Sequence, residues 1–79
     1  MRIEVVCYGA LRDYLPNDAV GNVVVVDVAE GATVGDVVDV LGAPRALAVS
    51  NLVGDLRADL DRKLNEGDRV TLMPPFTGG

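Results

Sequence analysis

Two valine-rich runs near the start of the chain constrain its fold more than any other feature. Residues 2–8 alternate, with Ile3, Val5 and Cys7 on one face and Arg2, Glu4, Val6 and Tyr8 on the other, which is the period of a half-buried β-strand. Residues 20–28 repeat the pattern, with Val20, Val24, Val26 and Val28 on one face and Val23 and Val25 on the other. The loop-like stretch 16–21 between them is too short for a crossover, so the two runs are expected to pair as an antiparallel hairpin. Leu11 and Leu15 stand at helical spacing ahead of Pro16-Asn17-Asp18, so residues 10–15 make one or two helical turns at most.

A sheet of this kind needs an apolar cover, and the middle of the chain supplies one. Thr33 as N-cap and Asp36 three residues later form a capping box, and Val34, Val37, Val38 and Leu41 then make a single apolar stripe before Gly42 and Pro44 end the helix. Asp36 is a favourable first-turn acid and Asp39 belongs to the solvated face, so the two need not be a catalytic pair. Ala46-Leu47-Ala48-Val49 within 45–50 read as a third strand, closed by a turn region at 51–55. Residues 56–63, with leucines at 56, 60 and 64, fit either a short helix or an irregular strand and turn. After the Asn65-Glu66-Gly67-Asp68 turn, Val70, Leu72 and Pro74 alternate with Arg69, Thr71 and Met73 in a last strand.

This order predicts an α+β fold, a ubiquitin-like β-grasp: a mixed sheet of four to five strands with one main helix packed across it. The helical crossover allows the third strand to run parallel to the first, and the last strand is expected centrally, beside the first. Residues 1–73 form the body, and residues 74–79 form an extended tail.

Length and composition remove most function classes. A chain of 79 residues is one domain, burying only about 60% of its unfolded surface, with little room for both a core and a deep pocket. The net charge of -5 and pI near 4.3 argue against a nucleic-acid partner. Cys7 is the only cysteine and histidine is absent, which excludes a disulfide within the chain, a zinc cluster, an iron–sulfur centre and a Cys/His dyad; no metal site is expected. Cys7 itself reads as a small buried hydrophobe. No apolar run reaches the roughly 20 residues of a membrane span, and Met1-Arg2-Ile3-Glu4 alternates like a strand, so a soluble cytoplasmic protein without membrane contact is expected.

Chemistry is left to the tail, Pro74-Pro75-Phe76-Thr77-Gly78-Gly79. Two prolines hold the backbone extended and away from a ladder, and two glycines let a terminal carboxylate enter a slot that any side chain would block. Four stretches then resemble the sulfur-carrier family that includes MoaD, the small subunit of molybdopterin synthase, and the thiazole carrier ThiS. They are Tyr8-Gly9-Ala10-Leu11-Arg12-Asp13, similar to Phe-Ala-x-Leu-Arg-Glu; Thr33-Val34; Ala48-Val49-Ser50-Asn51, similar to Ala-Val-Asn; and Gly67-Asp68-Arg69-Val70 through Gly79. The double proline favours the MoaD branch; Arg69 stands where the family has an acidic residue, and Phe76 where it has valine.

The resemblance implies a non-catalytic carrier whose Gly79 is adenylated, then thiocarboxylated, and gives up its sulfur in molybdopterin synthesis. It implies that Pro75, Phe76, Thr77 and Gly78 thread into a partner. The partners would be the large synthase subunit (MoaE-like) and a ubiquitin-activating-like adenylyltransferase (MoeB-like). No cofactor is expected on this chain, and ATP is bound by the activating partner, in line with the absence of a phosphate-loop motif. A ubiquitin-like modifier conjugated through Gly79, a carrier for thiazole or another sulfur metabolite, and an interaction domain with an inert tail are the alternatives. Val6, Tyr8, Val23, Val25 and Met73 fall on the sheet face away from the helix and are candidate docking residues, although exposed apolar side chains on a valine-rich sheet are also ordinary. Arg12 is either a solvated charge or a partner contact.

Overall fold

The computed structural model describes residues 1–75. Five strands form one mixed sheet in the order β2–β1–β5–β3–β4, comprising β1 (Arg2–Cys7), β2 (Val23–Asp27), β3 (Ser50–Val53), β4 (Leu56–Ala58) and β5 (Arg69–Met73). One helix, α1 (Val34–Leu41), covers one face, and 3₁₀ turns occupy Gly9–Tyr14 and Arg45–Leu47. The β-grasp expectation is met, including the central place of the last strand.

The N-terminal hairpin forms because its two alternations agree in phase. Ile3 lies opposite Val26 and Val5 opposite Val24, so their inward side chains meet beneath the helix and are nearly or fully buried. The second strand is shorter than its valines suggest. Val20 and Val23 exchange backbone hydrogen bonds around a turn at Gly21, whose φ is +62°, and Val20 is left 80% exposed instead of on the core face.

The capping box of α1 is complete. The Thr33 N–H donates to Asp36 Oδ2 at 2.9 Å, and the Asp36 N–H donates to Thr33 Oγ1 at 3.2 Å. The next N–H groups also find partners, since Val34 and Gly35 donate to the carbonyls of Arg62 and Leu60. Val34, Val37 and Val38 bury fully against the sheet, and Gly42 closes the helix in the left-handed region. Asp39 lies on the solvated face as expected, and there Arg45 folds back to donate to it from Nε and Nη2 at 3.0 and 2.8 Å. That hydrogen bond holds the Asp39 carboxyl below its ordinary pKa.

The third strand differs from expectation in place and direction. Pro44 opens a 3₁₀ turn over Arg45–Leu47, in which Leu47 and Ala48 donate to the Pro44 and Arg45 carbonyls, so the ladder begins only at Ser50. The expected turn at 51–55 is instead mostly β3, joined to β4 by a tight loop through Gly54 and Asp55. β3 runs antiparallel to β5, which is parallel to β1, so it is β5 and not β3 that runs alongside β1 in the same direction. Residues 56–63 resolve as a short strand followed by turn.

Thr33→Ala should lower the unfolding free energy by about 1 kcal/mol, and Thr33→Ser should stay near wild type. Urea denaturation of the two variants checks this.

Candidate functional site

With α1 on one face, the other face of the sheet is uncovered among the described residues. A row runs across it from Val23 through Val6 and Thr71 to Leu52, each opposite the next in the ladder, and ends at Arg57. A neighbouring row places Val25 opposite Glu4 and Glu4 opposite Arg69. The Arg69 guanidinium reaches Glu4 at 2.6 Å, both side chains being substantially exposed. Farther along the hairpin, Arg2 and Asp27 sit opposite each other with a loose 3.8 Å ion pair. This face is therefore apolar toward the C-terminal end of β1 and charged toward its N-terminal end.

The structure brings Val6, Val23, Val25 and Met73 onto this one face, and Tyr8 continues it just beyond β1. Their exposures differ. Val25 and Tyr8 are each 48% exposed, Val23 and Met73 are half-buried, and Val6 retains only 7% because Val23 and Thr71 flank it. Val6 is thus a floor on which the projecting residues rest. Arg12 lies in the 3₁₀ turn Gly9–Tyr14 rather than in the sheet, exposed and without an ion pair among the described residues. Leu52 belongs to the face but was hidden in the sequence, because its strand carries a polar residue, Asn51, at an inward position.

The tail leaves from the same end of the sheet. β5 is held on both sides at its close: the Tyr8 N–H donates to the Leu72 carbonyl at 3.0 Å, and the Val49 N–H donates to the Met73 carbonyl at 3.1 Å. Pro74 follows with no N–H to continue the ladder, and Pro75 is exposed. Phe76, Thr77, Gly78 and Gly79 lie outside the described residues.

Side-chain chemistry elsewhere is sparse. Cys7 is fully buried, and burial pushes its thiol above the ordinary pKa, so it stays protonated and inert. A groove of about 610 Å³ is lined by Thr33, Arg45, Asn51, Asp59 and Asp61, among others. Thr33 is committed to the cap and Arg45 to Asp39, and no nucleophile with a base beside it lines the groove. Asn51 donates to the Ala48 carbonyl at 3.0 Å, bracing the entry to β3, while its buried Oδ1 has no partner among the described residues. No cluster of metal-binding side chains occurs among them either, and none of their helices is long and apolar enough to cross a membrane.

The model of the family described as Mut7-C ubiquitin matches residues 1–78. The chain belongs to that family. Among solved structures, the crystal structure of SAMP1 from Haloferax volcanii is 29% identical, with all of both chains covered and a TM-score of 0.71. A second crystal structure, titled H. volcanii small archaeal modifier protein 1, matches at 29% identity over 95% of this chain and 98% of the other, with a TM-score of 0.72. The protein–protein complex of subunits 1 and 2 of molybdopterin-converting factor from Helicobacter pylori matches at 22% identity over all of both chains, with a TM-score of 0.62. A search of curated protein sequences finds no match. The expected ubiquitin-like fold is thus borne out and is shared with the molybdopterin-converting-factor subunit, and the chain is a small ubiquitin-like protein.

Two outcomes follow from the burial differences. Val25→Asp should change stability by no more than about 0.5 kcal/mol, whereas Val6→Asp, which places a carboxylate on the shielded floor, should cost about 2 kcal/mol or more; urea titration separates them. A thiol reagent should modify Cys7 slowly in the folded protein and rapidly in denaturant.

Proposed function

We propose that the chain is a sulfur carrier whose working group is the Gly79 carboxyl. The observation that carries this reading is the course of β5, which ends at the sheet centre and feeds straight into Pro74-Pro75 and the terminal Gly-Gly. The inert thiol and the uncommitted open face support it. A free carboxylate is a poor electrophile. An activating partner of the MoeB kind would bind ATP, and a Gly79 oxygen would attack the α-phosphorus, releasing pyrophosphate and leaving an acyl-adenylate. Sulfide (HS⁻) from a sulfur donor then attacks the acyl carbon, the bond to the AMP oxygen breaks with AMP leaving, and loss of the S–H proton gives a terminal thiocarboxylate.

In this scheme the body docks through Tyr8, Val23, Val25 and Met73 over the Val6 floor, with Arg12 at the margin. Residues 75–78 enter the partner's channel. A MoaE-like large subunit would accept the sulfur in molybdopterin formation; the H. pylori complex, named for a subunit 1 bound to a subunit 2, supports an arrangement of this type. The carrier contributes no catalytic side chain and no cofactor, and the work is cytoplasmic.

A second reading is favoured by the 29% identity to proteins titled small archaeal modifier. Here a lysine amine of another protein, instead of a sulfur nucleophile, attacks the same acyl-adenylate and forms an isopeptide bond. Incubation with ATP, an activating enzyme and a sulfur donor should raise the intact mass by one exchange of oxygen for sulfur, and deletion of Gly79 should abolish it. A terminus that stays a carboxylate with a competent enzyme present contradicts the carrier reading. Val25→Asp should lower the rate of loading at least about tenfold, as loss of a docking anchor does.

A further inference from the structure

The head of the 3₁₀ turn Gly9–Tyr14 and the root of the tail approach each other more closely than any side chain on residue 9 would permit. A Cβ built on Gly9 would fall 2.7 Å from Pro74 Cγ and 3.3 Å from Pro74 Cδ. Gly9 also has φ of +57°, in the left-handed region that disfavours side chains. The other positive-φ glycines differ in one respect: Gly21, Gly31, Gly42, Gly54 and Gly67 all face open space, with nothing within 4 Å of a built Cβ. Turn geometry alone therefore accounts for those glycines and only half accounts for Gly9.

Two hydrogen bonds fix the chain on either side of this contact. The Tyr8 N–H holds the Leu72 carbonyl, and the Val49 N–H holds the Met73 carbonyl. One residue beyond these anchors, the Pro74 ring lies on the Gly9 backbone. A proline ring cannot swing aside as a flexible side chain would, because its atoms are tied to its own φ. A methyl group at position 9 must therefore displace the Pro74 backbone.

We infer that Gly9 is a positioning residue for the tail: its missing side chain seats the Pro74 ring and so sets the point and direction from which residues 75–79 start. This rests on the carrier reading and adds a residue to it that lies on neither the docking face nor the tail. A carrier docked by its sheet face must deliver Gly79 into a partner's site at reacting distance, and a displaced root spoils that delivery without disturbing the docking.

The experiment measures ATP-dependent loading of Gly79 by intact mass, at varied carrier concentration, for wild type, Gly9→Ala, Gly54→Ala, Pro74→Ala and the double variant Gly9→Ala/Pro74→Ala. Gly54→Ala imposes the same left-handed strain with no neighbour to strike, and Pro74→Ala removes the contact while leaving residue 9 intact. Gly9→Ala and Pro74→Ala should each lower kcat about tenfold, as misplacement of a reacting group does, with the carrier's KM unchanged; Gly54→Ala should load like wild type. The double variant should be no slower than the worse single variant, because the methyl fills the space the ring vacated. If Gly9→Ala proves too unstable to assay, Pro74→Ala carries the kcat test alone. Loading of Gly9→Ala or Pro74→Ala at the wild-type kcat, or an equal fall in Gly9→Ala and Gly54→Ala, overturns the inference while leaving the carrier reading intact. Failure of wild type to load overturns the carrier reading and the inference with it.

Discussion

The pairing of β1 with β5 is the constraint on which the rest of the structure depends. It joins the two ends of the chain in a parallel ladder from Glu4 opposite Arg69 to Cys7 opposite Leu72. Parallel neighbours need a crossover, and nearly everything between residues 8 and 68 serves as one. The hairpin partner β2 covers the outer edge of β1, α1 crosses the face, and β3 and β4 extend the sheet beyond β5. Val5, Cys7, Val70 and Leu72 are all fully buried along this seam, so its apolar burial is both the centre of the core and the reason the last strand is held. The place of Pro74 follows from the same ladder, because β5 at the sheet centre brings it beside the end of β1, against Gly9.

That arrangement separates two tasks by face. The helix side uses aliphatic side chains and leaves almost no polar group unpaired; the buried Asn51 Oδ1 is the exception among the described residues. The open side carries Val23, Val25, Thr71, Leu52 and Met73 around a Val6 floor, with the Glu4–Arg69 pair beside them. An exposed pair of this kind adds little stability. Any surface laid on this face would nonetheless have to accommodate both charges.

The sequence disclosed those features in which a local signal and the tertiary demand coincide. The β1 alternation, the Thr33 capping box, the valine stripe of α1 and the inward phase of Val70 and Leu72 all read correctly because burial enforces the same period that the residues display. β3 was misplaced because Ala46-Leu47-Ala48-Val49 looks like a strand, whereas Pro44 starts a 3₁₀ turn and the true strand hides an amide, Asn51, at a core position. Its direction was missed because crossover logic applied to the next strand in sequence, when the parallel partner was the last. Asp39 lies on the solvated face, as its helix position implies, but its partner Arg45 sits past the helix end, where no local pattern announces it. On the candidate site, the face residues were legible from parity alone, Leu52 was lost with its strand, and nothing local to Gly9 announces that Pro74 rests against it.

On the proposed carrier reading, the Gly79 carboxyl is the group that reacts. The most direct measurement is the chemical state of Gly79 in protein isolated from its own cells under denaturing conditions, read by mass spectrometry of the intact chain and its C-terminal peptide. The account predicts a fraction carrying sulfur in place of one terminal oxygen. A terminus found only as free carboxylate during active sulfur-cofactor synthesis, with the activating enzyme present, would contradict it.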